Sequence, residues 1–237
     1  MRSAIAKHLD HDPHFEWRGH TVSRIENLSD IVFALALGML VSASSAPATY
    51  GELFPHLLNI VPVTAGFLIM VMLWNVHFIF FRRYAIADQT IIWLNGGLLL
   101  LILFLAYPLR FTFDSLFAFI LMLAGSSDRM AQLDISTYRQ AGNIIAIFYF
   151  GYGLAHLIVQ AMYKHALNQA DALGLNHQER QVTKQSVWRY RAEVLISMII
   201  APLAAFTVVG PFAGALGLLN WPAAALVRRV FPVEQAE

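Results

Sequence analysis

The chain is 237 residues long, 58% hydrophobic and only 13% charged, with a formal net charge of +1. That charged fraction is about half of what a soluble domain carries, and a soluble fold of this length has no way to hide so much apolar surface, so a soluble enzyme is excluded. No basic tract runs along the chain to follow a phosphate backbone, and there is no cysteine, which removes nucleic-acid binding, disulfides, thiolate nucleophiles and cysteine-ligated metals from consideration.

Residues 1–23 carry Asp10, Asp12 and Glu16 among several histidines and have no apolar stretch, so they read as a polar cytoplasmic tail and not as a signal peptide. His8, His11 and His14 lie close together there, but nothing fixes their geometry, and no metal or other cofactor is expected.

Residues 24–230 read as one all-α membrane domain, followed by a polar tail at 231–237. A membrane helix needs about twenty predominantly apolar residues. Six segments qualify as candidates: Leu28–Ala46, Leu58–Phe81, Thr90–Tyr107 ended by Pro108, Ile144–Met162, Val194–Val209, and Phe212–Val227 ended by Arg228 and Arg229. Only Gly210-Pro211 separates the last two, which therefore read either as two spans or as one re-entrant hairpin. Leu116–Ala124 is too short to span; it either extends the third helix or lies at the interface. Lys164–Arg191 mixes both charges and reads as a solvated connector. His156, alone inside the fourth segment, reads as a hydrogen-bonded packing residue, with proton relay as the other possibility.

Lys and Arg set the orientation. Arg2, Lys7, Arg18, Arg24, Arg82, Arg83, Lys164, Arg180, Lys184, Arg189, Arg191, Arg228 and Arg229 fall on one side; Arg110, Arg129 and Arg139 fall on the other. Both termini are thus expected in the cytoplasm, with the chain in the cell membrane. An even number of spans follows, which favours six.

The first segment carries the unusual chemistry. It opens Arg24-Ile-Glu-Asn-Leu28-Ser29-Asp30, and ionisable groups there must be paired or wet. The plain reading makes Ser29 or Asp30 a helix cap. At ~100° per residue, Arg24, Leu28, Ile31, Leu35, Gly38, Met39 and Ser42 share one face, with Ser29 and Asp30 elsewhere. Ala34 and Gly38 form a small-x-x-x-small pair that permits close helix approach. The second segment ends Trp74-Asn75-Val-His77-Phe78-Ile-Phe80-Phe81, and the third contains Trp93-Leu94-Asn95. A buried Asp30 would find donors in His77, Asn75, Asn95 and the indole N–H groups.

Arg-x-x-x-Leu-Ser-Asp at 24–30, Trp74-x-x-His77 with Phe81, and Trp93-Leu94-Asn95 running to Pro108 together resemble the transmembrane protein 175 family of lysosomal potassium channels and their prokaryotic relatives, whose signature has Phe where this chain has Leu28. The resemblance covers 24–108. It implies a six-helix chain assembled as a homotetramer, with four first helices lining a potassium-permeable pore. It also implies a constriction of apolar side chains, not a carbonyl filter, narrowest at Leu35 with Ile31, Gly38, Met39 and Ser42 in neighbouring layers. Arg24, Ser29, Asp30, Trp74, Asn75, His77, Trp93 and Asn95 would form the supporting polar network. Gly38 and Ser42 stand where the family often has Thr and Leu, which implies a wetter outer pore. A proton-coupled carrier using Asp30 and His77, or a membrane scaffold without conduction, are the competing readings. No catalytic arrangement stands out, and the protein is not expected to be an enzyme.

Overall fold

The structure is a computed structural model that describes residues 15–42 and 47–232. The three tail histidines at positions 8, 11 and 14, residues 43–46 at the end of the first expected span, and residues 233–237 lie outside the described residues. The helices run α1 (Arg24–Ser42), α2 (Tyr50–Leu58), α3 (Ile60–Tyr84), α4 (Gln89–Leu123), α5 (Asp128–Gln132), α6 (Tyr138–Asn168), α7 (His177–Phe206), a 3-10 segment (Gly210–Leu219) and α8 (Asn220–Val230). Among the described residues there is no strand.

Among the described residues, five stretches are long and apolar enough to cross a membrane: α1, the joined α2–α3 run, α4, α6, and the 3-10 segment with α8. The expected fifth span is the exception. Only residues 194–206 of α7 are apolar, a rise of about 20 Å against a hydrocarbon core of about 30 Å. The residues before them, which include Arg189, Arg191 and Glu193, are charged.

Local chemistry explains the boundaries. Ser23 and Glu26 start α1: Glu26 Oε1 accepts from the Ser23 amide at 2.8 Å, and the Glu26 amide reaches Ser23 Oγ at 3.4 Å. The cap therefore lies nearly two turns before Ser29 and Asp30, which are interior to the helix and do not cap it. Asp88 caps α4 by accepting from the Ile91 amide at 2.9 Å, and it also takes a 2.6 Å contact from His165 Nε2. Thr137 with Gln140 and Asn176 with Glu179 make capping boxes for α6 and α7.

Pro108 does not end the third membrane helix. α4 passes through it and runs on to Leu123 as one 35-residue helix, so the run from Leu116 extends that helix. Breaking a helix in an apolar medium would leave several backbone groups unpaired, whereas Pro108 forfeits one bond.

α6 and α7 form the most extensive helix pair, and α4 packs on both α6 and α1. A Cβ on Gly142 would sit 2.3 Å from the Ala204 carbonyl oxygen, so glycine is what lets these two backbones approach. The main core joins Phe33 and Leu40 of α1, Met70, Phe80, Phe81 and Tyr84 of α3, Ile91, Leu98 and Ile102 of α4, and Met162 and Tyr163 of α6.

Residues 164–191 are not a solvated connector. They form the end of α6, a short turn and the start of α7, and they bury Ala166, Ala170, Leu175, Val182 and Tyr190. The segment 15–19 packs against this hairpin. The Arg18 guanidinium meets Glu179 at 2.8 Å and donates to the carbonyls of Leu173 and Gly174, while the amides of Arg18 and Gly19 both donate to the Arg82 carbonyl.

Candidate functional site

Two faces of α1 do different things. Ser29, Phe33, Ala36 and Leu40 are buried against α3 and α4. On the other side Leu28, Ile31 and Leu35 are 55%, 66% and 54% exposed, and Gly38 and Ser42 continue that exposed stripe. Met39 is partly buried, packed against the core. Nothing lies within 4 Å of a Cβ built on Gly38, so its smallness serves no contact within this chain.

The buried face is fastened by a chain of hydrogen bonds. Ser29 Oγ donates to the Ile25 carbonyl at 2.7 Å, which leaves it to accept from Asn95 Nδ2 at 3.0 Å; Asn95 Oδ1 then faces His77 Nε2 at 2.9 Å. With the amide oriented this way, His77 Nε2 carries the proton and donates. Phe33 and Phe81 flank the His77 ring at centroid distances of 5.6 and 4.7 Å.

Asp30 is not the centre of this network. It is exposed, and its Oδ1 accepts from Trp74 Nε1 at 2.9 Å. The residue that His77 and Asn95 serve is Ser29. One position along a helix is a rotation of about 100°, which is enough to put Ser29 inward and Asp30 outward. Trp74 stacks on Phe78 at 5.5 Å, and Phe78 lies 5.1 Å under the Arg82 guanidinium. Arg24 and Asn75 are exposed, and Trp93 is 72% exposed; none of the three bonds to the Ser29–Asn95–His77 chain.

His156 is hydrogen-bonded within the bundle, as expected of it. Its Nε2 lies 2.8 Å from Glu193 Oε2 and its Nδ1 lies 2.9 Å from the Tyr152 carbonyl. The Glu193 partner, 37 positions away, escaped the sequence reading because no periodicity links the two helices. The pair Arg110 and Asp114 also went unread, although i,i+4 opposite charges in an apolar helix are a legible signal.

An all-helical chain with several membrane-length apolar helices, one of which turns a buried polar contact inward and an apolar stripe outward, is a multi-pass membrane protein. The family described as the endosomal/lysosomal potassium channel TMEM175 matches residues 24–106, the stretch that holds the Ser29–Asn95–His77 and Asp30–Trp74 contacts. A potassium channel of Marivirga tractuosa is 31% identical over 192 residues, 79% of this chain and 76% of that protein. The chain belongs to the TMEM175 family. A crystal structure of a variant of the potassium channel MtTMEM175, in complex with a nanobody–MBP fusion, superimposes with a TM-score of 0.83 at 26% identity, covering 93% of this chain and 97% of that one. A crystal structure of a lysosomal potassium-selective channel TMEM175 homologue from Chamaesiphon minutus shares the fold, with a TM-score of 0.56 at 22% identity over 86% of this chain and 96% of that one.

Proposed function

We propose that the protein is a potassium-permeable cation channel of the cell membrane. Four copies surround a pore lined by α1, with both termini cytoplasmic and α7 supplying the sixth span of each chain. The observation that carries this reading is the exposed stripe Leu28, Ile31, Leu35, Gly38 and Ser42 on a helix whose opposite face is buried and hydrogen-bonded. A single chain has one such helix, and a ring of them encloses an axis. Leu35 then forms the tightest ring, with Ile31, Gly38, Met39 and Ser42 in the layers around it, and it restricts ions by dewetting. The potassium channels to which the chain is similar support the choice of ion.

The carrier reading loses its footing. Asp30 bonds Trp74 while His77 bonds Asn95, so each residue has a partner other than the one a relay would give it. Purified protein in potassium-loaded liposomes tests the proposal. Fast downhill potassium efflux is expected; uptake that requires a proton gradient would make it a carrier, and no flux from assembled protein a scaffold.

A further inference from the structure

The bundle surface has a second polar feature, at the end opposite Asp88. Arg110 Nε donates to Asp114 Oδ2 at 3.1 Å, while Arg129 pairs with Asp114 Oδ1 and donates to Asn59 Oδ1 at 2.5 Å. Two guanidiniums therefore share one carboxylate, and the cluster keeps a net positive charge. The Arg110 side chain is only 6% exposed, yet its Nη1 has no hydrogen-bond partner. A buried donor left unmade is costly, more so when charged. Arg110 also lines a cavity of about 440 Å³, whose walls include Tyr107, Phe111, Ile144 and Ile147.

Depth decides which anion fits. The rise along α4 from Gln89 to Arg110 is about 31 Å, the thickness of a bilayer's hydrocarbon core. With Asp88 at one membrane surface, Arg110 stands at the headgroup level of the other. α6 runs the opposite way, because His165 near its end meets Asp88. Ile144 and the half-exposed Ile147, near its start, thus descend from that headgroup level into the hydrocarbon. A cation at the headgroup level above an apolar groove matches a lipid, whereas a free anion has no use for the groove.

We propose that this cavity binds an anionic phospholipid of the leaflet far from Asp88, its phosphate accepting from Arg110 Nη1 and an acyl chain lying along Ile144 and Ile147. One phosphodiester balances the cluster's surplus charge; a zwitterionic headgroup brings a quaternary ammonium that the surplus charge repels. The proposal does not depend on ion conduction.

The test counts lipid retained by the purified full chain, by native mass spectrometry, after exposure to phosphatidylglycerol or phosphatidylcholine. Phosphatidylglycerol should be retained about tenfold better, and Arg110→Gln should lower its retention about tenfold, the effect of one charged hydrogen bond. Ile147→Trp should lower it too, by filling the groove while leaving the ion cluster intact. That variant decides the matter alone if Arg110→Gln fails to fold. Equal retention of the two lipids would overturn the proposal, as would displacement of phosphatidylglycerol by millimolar inorganic phosphate. So would wild-type retention in folded Ile147→Trp, or a change of oligomer mass in either variant with bound lipid unchanged.

Discussion

Asn95 Nδ2 donates to Ser29 Oγ across 3.0 Å, joining α4 to α1 through a side-chain bond that is closed to solvent. The bond sits directly beneath the exposed stripe of α1, so it determines which face of that helix is turned outward. Asp30, the next residue, bonds only at the surface, to Trp74.

Asn95→Leu should therefore cost far more than Asp30→Ala. The first leaves the buried His77 Nε2 donor unpaired, at roughly 1–3 kcal/mol, and takes from Ser29 the bond that ties α1 to α4, while Ser29 keeps its own bond to the Ile25 carbonyl. The second removes an exposed carboxylate and frees only the Trp74 indole N–H at the surface, at a cost of about 1 kcal/mol. Thermal melting in detergent, with the assembled fraction from size exclusion, separates them. Comparable losses for the two variants would mean that Asp30 and not Ser29 is the anchor.

Glu179 should give the protein a stability component sensitive to acid. Burial alone pushes its carboxyl up, but the Arg18 guanidinium and the amides of Asn176 and Glu16 outweigh this and hold its pKa below the usual carboxylate range. The folded chain then binds this proton less readily than the unfolded chain. The contribution is present above the unfolded value of about 4.3 and is lost as pH falls through the folded value. Glu179→Gln should cost roughly 1.5–3 kcal/mol at neutral pH, and its gap from the wild type should begin to shrink as pH falls below the unfolded value of about 4.3. A gap that stays constant across an acid titration of the melting temperature would rule out the ion pair as its source.

Gly19 should not tolerate even a methyl group. A Cβ there would lie 2.6 Å from the Phe81 carbonyl oxygen, and that oxygen belongs to backbone that has no room to yield. Gly19→Ala should detach residues 15–19 from the end of α3, breaking the amide bonds to the Arg82 carbonyl and exposing Phe15. Faster hydrogen exchange at Arg18 and around Glu179, with that in α1 unchanged, is the expected pattern; wild-type protection throughout would show that the strap is dispensable.

Much of the α1 site was legible because its signals are local. The stripe from Leu28 to Ser42 is a 3.6-residue period, and Trp74-x-x-His77 and Trp93-Leu94-Asn95 are short motifs at matching depths. Those motifs place His77 and Asn95 beside the start of α1, but composition alone favours the charged Asp30 as their buried partner, and nothing in the sequence says which of two adjacent residues faces inward. Pro108 misled for a physical reason: the rule that proline stops a helix comes from chains in water, where freed backbone groups find solvent. Arg18 with Glu179 was out of reach, since 161 positions separate them and neither residue is unusual in its own segment. Residues 164–191 look like a loop because their charges hide a helical hairpin whose buried apolar positions, Ala166, Ala170, Leu175, Val182 and Tyr190, are too widely spaced to make a strong apolar stripe.

Leu35 is where the channel reading meets its sharpest test. In the single chain its side chain is 54% exposed, so it does little for the packing of its own subunit. If four copies close a dry ring there, the barrier to a cation is the loss of its water, imposed by size and dewetting and not by charge. Leu35→Asn would supply amide groups to a hydrated ion, so conductance should rise and discrimination between potassium and sodium should shrink. Leu35→Phe should narrow the ring and suppress current in a protein that still assembles. A residue that merely packs against lipid or a neighbouring subunit behaves differently: Asn would then bury an amide, Phe would overpack the contact, and both would act first on stability. Current and reversal potential in planar bilayers, paired with the oligomer mass of each variant, distinguish the two cases. Unchanged permeability in well-assembled Leu35→Asn would take Leu35 out of the conduction path. Loss of the oligomer in both variants would make the α1 stripe an assembly surface without a pore.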